Sequence, residues 1–341
     1  MHRFRGAARH AELTLASAAG SMRARIEPMA SEPRISRPAP LSAASLTVLA
    51  YIGCALIWST TWFAIRVCIA PGGYPPFAGA AIRFLIAVVA LGVLTGLKLV
   101  GRGPTGWRAL SWVAAAGVLC GLAYALVYAS ETRITGGVAA VIFGTLPLVM
   151  ALTTFVTGVE RPRASFVAGS VVALAGIALL YGDRLHASSS QGVGVALVFA
   201  SVWVSVLYNI VLKQRAGGSN PLATNLPFLA AAAVPLGVFA LTLERQPVPW
   251  PPPLQPTLAL LYLAIFGSVV AFALYFYLLR HMTLTAVSTL LFVEPVLALL
   301  IDALWEREIR LGQRAYAGAA LTLVGVAITF LVPRRAAATK G

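Results

Sequence analysis

Charge is scarce in this chain. Asp, Glu, Lys and Arg make up 11% of its 341 residues, against about 25% in an ordinary soluble domain. So few charges cannot cover a water-facing surface, which excludes a soluble globular protein and leaves lipid as the solvent. Lysine is rare, at three against 23 arginines, a usage that goes with a GC-rich bacterial genome. The three cysteines, Cys54, Cys68 and Cys120, have neither metal nor disulfide spacing. They lie in or at the ends of apolar runs, where packing is their expected role. The four histidines, His2, His10, His186 and His281, fall in tails or loops, so histidine-based chemistry inside the membrane is not expected. There is no phosphate-binding loop or nucleotide-binding domain to drive primary transport, and no cofactor or metal motif. Apolar and polar residues do not alternate as they do in a membrane β-barrel.

Continuous apolar runs are what the chain has, with 59% hydrophobic residues and a mean hydropathy of +0.84. Ten runs cover 44–67, 76–97, 109–130, 135–158, 164–182, 192–213, 222–243, 257–279, 283–304 and 313–332. Each approaches the roughly 20 residues a helix needs to cross a bilayer. The expected fold class is all-α integral membrane, with ten transmembrane helices. The net charge of +15 is topological rather than a nucleic-acid signal. With the N-terminus inside, the inner loops and tails hold eighteen basic residues and the outer loops six. That bias puts both termini in the cytoplasm. Residues 1–43, rich in Arg, Ser, Ala and Pro, read as a disordered basic cytoplasmic tail, with Met22 or Met29 as alternative starts. Residues 333–341 form the other cytoplasmic tail.

The runs repeat. Pro147 corresponds to Pro295 and Glu160 to Glu308, each 148 positions later. Gly169 and Gly176 correspond to Gly318 and Gly325 after one inserted residue. A Pro-interrupted apolar segment in each half is a pointer to a transporter built from repeats. Residues 44–182 and 192–332 are the expected units. Five spans is an odd number, so the second copy starts from the opposite side and the repeats are inverted.

Three further signatures point to a family. CALIWSTTWFAIR fits a W-[GS]-x-x-[FW] start, although Ser59-Thr60 stands where glycine is common. AAIRFLIA around Arg83 is similar to an LRF motif in helix two. Each half closes with P-x(12)-E and a glycine-spaced helix. Over residues 46–332 the chain resembles the drug/metabolite transporter superfamily, in its ten-helix EamA branch. The resemblance implies a secondary transporter with a solute cavity between the halves, export being the commoner direction. Its setting would be the bacterial cytoplasmic membrane.

Glu294 is the sharpest single feature. It sits about ten residues from either end of its run, so roughly 15 Å from each surface. A charge at that depth costs at least about 2.5–3.5 kcal/mol. It must therefore face a cavity, pair with a base, or stay protonated. It reads as a proton-coupling or amine-binding carboxylate, or as a structural acid bonding a neighbouring helix. Pro147 and Pro295 lack an amide hydrogen, so the carbonyls of Phe143 and Leu291 lose their helical donors. The two prolines are hinge candidates or static kinks. Arg83 could neutralise Glu294, hold an anionic solute group, or snorkel to an interface. Trp58, Ser59, Tyr124, Tyr128, Tyr208, Asn209, Tyr275 and Phe292 could line a chamber that stacks and hydrogen-bonds an organic solute; Tyr and Trp also serve as interface belts. Trp62 is one turn before Arg66, close enough for a cation–π contact. Glu160 with Arg161 and Glu308 with Arg307 are expected loop salt bridges or latches, and Asp302 is expected to pair with an arginine of the EREIR turn.

The expected activity is secondary active transport of small organic metabolites, amino acids or related amphiphilic solutes, with protons as a candidate coupling partner. The expected partners are a small solute and the lipid bilayer, with no nucleic acid. Two other readings stay open: a ligand sensor that keeps the fold without transport, and an intramembrane lipid-modifying enzyme.

Overall fold

A computed structural model describes residues 42–131, 133, 139, 142–181, 189–215, 220–305 and 313–330. The N-terminal tail and the EREIR turn, with Asp302, Arg307 and Glu308 and the ion pairs expected there, lie outside what can be described. Ten membrane helices run through the described residues. They are α1 (Ala43–Cys68), α2 (Pro76–Gly96), α3 (Trp107–Glu131), α4 (Leu146–Val156), α5 (Ala164–Tyr181), α6 (Ser189–Arg215), α7 (Pro221–Leu243), α8 (Leu254–His281), α9 (Leu290–Trp305) and α10 (Gln313–Phe330). No strand occurs among the described residues. The chain is an all-α integral membrane protein of two inverted five-helix repeats.

Six helices are long and apolar enough to cross a membrane by length and composition; α4, α5, α9 and α10 are shorter. Within the expected spans 135–158 and 283–304 the described residues carry a local turn, one in each. α4 starts at Leu146, after a turn at Gly144 and Thr145, with Pro147 in its first turn. Proline tolerates that position because the missing amide would have no helical acceptor there. α9 follows a separate turn of helix, Leu284–Ser288, and the break falls at Thr289.

Local chemistry sets the other helix ends. α2 and α7 each begin on a proline, and the Asn220 side chain accepts from the amides of Leu222 and Ala223 at 3.0 and 3.2 Å. α4 ends at Gly158, whose φ of +72° suits a residue without a Cβ. The outward faces stay apolar: Leu85, Val89 and Val93, spaced one turn apart on α2, are 53%, 66% and 56% exposed. In water that stripe would be a liability; in a bilayer it is the lipid contact.

The packing obeys the repeat. α5 lies against α10 and α2 against α7, each helix beside its own counterpart. α3 packs on α6, and its counterpart α8 packs on α1. Two seams are backbone-close because they are made of glycine. A Cβ built on Gly117 or Gly121 of α3 would lie 2.2 Å from the carbonyl oxygen of Phe228 or Ala232 on α7. A Cβ on Gly176 of α5 would lie 2.4 Å from the Thr322 amide nitrogen of α10. Small residues allow this approach, and dispersion then holds helices together where lipid provides no hydrophobic drive.

Two carboxylates tie the halves together, one at each face. We call the face where α1 begins proximal and the face where it ends distal. At the proximal face Glu160, just after α4, accepts from the amides of Leu284 and Thr285 at 2.7 and 3.2 Å and from the Thr285 hydroxyl at 3.2 Å. At the distal face Glu244, just after α7, accepts from the amides of Phe77 and Ala78 at 2.5 and 2.8 Å. Each acid meets the positive end of a helix start, so charge and hydrogen bonding act together. Lys213 closes the proximal corner, donating to the carbonyls of Leu279 and Met282.

The expected Glu160–Arg161 ion pair gives way to this backbone cap. Glu160→Ala should lower the melting temperature of the purified protein by removing about 0.5–2 kcal/mol. Arg161→Ala, at an exposed position, should leave it unchanged. Equal effects of the two substitutions in a thermal scan would restore the ion-pair reading.

Candidate functional site

α1, α2, α3, α6, α8 and α9 and the Phe143 approach to α4 enclose a distal chamber between the halves. Its cavity volume is about 110 Å³, below the roughly 300–1,000 Å³ of drug-sized ligand sites, so in this conformation it suits a small solute. Helix phase decides which side chains reach it. On α1, Trp58, Thr61 and Ile65 line the wall at helical spacing, and on α3 Tyr124 and Tyr128 do. Ser201, Ser205 and Tyr208 on α6 do the same across from them. Arg83 and Glu294 put one cation and one anion into the same wall.

Arg83 is 1% exposed and does not snorkel. Its Nε donates to Ser268 Oγ at 2.8 Å and its Nη2 to the Gly267 carbonyl at 3.0 Å. Its guanidinium carbon stands 5.5 Å from the ring centroids of both Phe84 and Tyr124. The acceptors exist because α8 widens into a π-helical stretch at Ile265–Val270. A wider turn breaks the α-helical hydrogen-bond ladder and turns backbone groups toward side chains, as such bulges at functional sites do. Asn225 on α7 grips the same bulge, its amide donating to the carbonyls of Ser268 and Val269 at 3.2 and 3.1 Å. Gly267 leaves room for the arginine: a Cβ there would stand 3.0 Å from Arg83 Nη2.

A second, proximal chamber of about 40 Å³ adjoins it, lined by Asn209, Tyr275, Leu146, Val287 and Ser288 among others. Tyr275 donates to Asn209 Oδ1 at 2.6 Å, and Asn209 Nδ2 donates to the Ser205 carbonyl at 2.8 Å. The buried amide thus has partners on both sides, as a polar group in a membrane interior requires. The Trp58 ring packs 5.0 Å from that of Tyr275 and 5.7 Å from that of Phe272.

Of the residues singled out from sequence, Trp58, Arg83, Tyr124, Tyr128, Tyr208 and Glu294 come together around the distal chamber. Asn209 and Tyr275 stand around the proximal one with Trp58 and Tyr208. Ser59 and Phe292 line neither. Each follows a lining residue by one position, about 100° around its helix, and so turns into the packing. Ser59 returns its hydroxyl to the Ala55 carbonyl at 2.6 Å, and Phe292 is fully buried. Pro147 and Pro295 are not in either wall, but Phe143 and Leu291, four residues before them, are in both. Arg66 stands 5.9 Å over the Phe63 ring; the Trp62 side chain lies outside what can be described. Thr61, Ser201, Ser205, Asn225 and the bulge of α8 escape sequence reading. Ser and Thr inside an apolar run carry no spacing signal, and a π-turn leaves no mark in hydropathy.

The chain matches the EamA-like transporter family twice, over residues 45–182 and 192–331. It is similar to "Uncharacterized inner membrane transporter YedA" of Escherichia coli (strain K12), 28% identical over 255 residues, 72% of this chain and 78% of that one. Another relative is "Protein PagO" of Salmonella typhimurium, 27% identical over 251 residues, 72% of this chain and 81% of that one. A third is "Probable terminal-alkyne amino-acid exporter" of Streptantibioticus cattleyicolor, 27% identical over 306 residues, 87% of this chain and 98% of that one. A solved crystal structure superposes with a TM-score of 0.69 at 24% identity, covering 86% of this chain and all of that one. That superposition speaks for the fold. Two copies of the family domain, an inverted-repeat helical fold and a chamber between the copies make one consistent picture: the chain belongs to the EamA-like transporter family.

Proposed function

We propose that the protein is a secondary transporter that moves small amphiphilic organic solutes, amino acids or close relatives, out across a bacterial cytoplasmic membrane by alternating access. The observation that carries this reading is the distal chamber, walled by both repeats and lined by a guanidinium, a carboxylate and aromatic rings. A zwitterion with an apolar side chain is complementary to that wall. The name of the Streptantibioticus cattleyicolor relative supports the same solute class. The proximal face, tied by Glu160 and Lys213, is the cytoplasmic one in this proposal. The chamber then opens outward, which is the state from which an exporter releases its solute. Glu294 is the coupling group, exchanging its proton for the solute's ammonium.

The test is flux into proteoliposomes across a panel of apolar and aromatic amino acids, with and without an imposed proton gradient. Net flux of at least one panel member, accelerated by the gradient, is expected. No flux of any of them by correctly folded protein would sink the proposal. Saturable binding without flux would make the protein a sensor on a transporter fold.

A further inference from the structure

The two chambers are stacked, and four side chains belong to the walls of both: Trp58, Phe143, Tyr208 and Leu291. A residue that lines two adjoining cavities stands between them. Two of the four, Phe143 and Leu291, are 148 positions apart, the same offset that relates Pro147 to Pro295. They are repeat counterparts, so the partition lies where the two halves meet on their symmetry axis. Leu291 is also the residue whose carbonyl is relieved of its helical donor by Pro295, while Phe143 stands just before the start of α4. The chain is breakable at the same places. α4 starts anew after the turn at Gly144 and Thr145, and the helix before α9 stops at Thr289.

The geometry points to Phe143 and Leu291, with Trp58 and Tyr208, as a septum that forms the central gate of the transport cycle. The gate is a pair of counterpart side chains on the two broken helices. Movement of either half about its break swings one of them aside and joins the chambers. Because the pair sits on the axis, one constriction serves both the outward-open and the inward-open state. The size of the two side chains sets the girth of solute that passes. This inference rests on the transport reading, but its first test does not require transport.

The native thiols Cys54, Cys68 and Cys120 are buried and serve as the blank. Ser205→Cys reports on the distal chamber and Ser288→Cys on the proximal one. The protein is reconstituted in uniform orientation, and a membrane-impermeant methanethiosulfonate ammonium reagent is confined to the distal side. Ser205→Cys should react and Ser288→Cys should not. Adding Phe143→Ala and Leu291→Ala to Ser288→Cys should raise its labelling rate by about tenfold or more, a barrier change of about 1.4 kcal/mol. Where the double replacement does not fold, Phe143→Ala alone should give a smaller rise, and Leu291→Trp should slow even the basal rate. Equal labelling of the two serine positions with the septum intact overturns the proposal. So does a Ser288→Cys rate indifferent to both side chains. If labelling behaves as expected and no amino acid is carried, the septum stands and the transport reading falls.

Discussion

Glu294→Gln is expected to abolish proton-driven flux while leaving the protein folded. The side chain is 5% exposed, in the wall of the distal chamber that Leu291 and Tyr124 also line. A charge in the middle of a membrane helix costs about 2.5–3.5 kcal/mol on insertion scales. The neutral amide removes that cost and keeps the shape, so folded yield and melting temperature should hold or rise. Coupling is a different matter, because an amide cannot take up or release the proton. Flux measured at several pH values should therefore become both low and flat for the variant, whereas the parent rises with the gradient. Exchange of solute for solute, which needs no net proton movement, should survive in part. A variant with unchanged flux and an unchanged pH profile would make Glu294 a structural acid.

The second large effect concerns the seam between α5 and α10. Gly176→Leu should prevent recovery of monodisperse protein, and Gly176→Ala should already destabilise it by about 1–3 kcal/mol, the usual range for overpacking. The reason is backbone, not side chain. Besides the Thr322 amide, a Cβ at Gly176 would meet the Gly318 carbonyl oxygen at 2.8 Å, and neither can rotate away. The helices would have to part along their length. Gly92 on α2 is the control, since nothing lies within 4 Å of a Cβ there and the position faces lipid. Gly92→Ala should be neutral or stabilising by up to about 1 kcal/mol, the helix-propensity difference. If Gly92→Ala and Gly176→Ala melted alike, close packing would not be what holds this seam.

Much of this architecture can be read from the sequence because lipid is a strict solvent. It forces long apolar runs, and their number and repetition give the ten-helix inverted repeat. The glycines at 169, 176, 318 and 325 announce their seam through spacing alone, and the structure brings all four into that contact. Glu294 stands out because its cost is large. What escapes the sequence is contact across long separations. Glu160 beside Arg161 reads as an ion pair; its partners are the amides of residues 284 and 285. Glu244 carries no motif to single it out, yet it caps a helix start 167 positions away. Ser59 and Phe292 look like wall residues beside Trp58 and Leu291, and a single helical step turns each away. The bulge of α8, which gives Arg83 its acceptors, has no composition to betray it.

The two carboxylates cross between the copies. Glu160 is made with the first copy but completes a helix of the second; Glu244 is made with the second but completes a helix of the first. A half-length chain of either kind would therefore leave one helix start without its carboxylate.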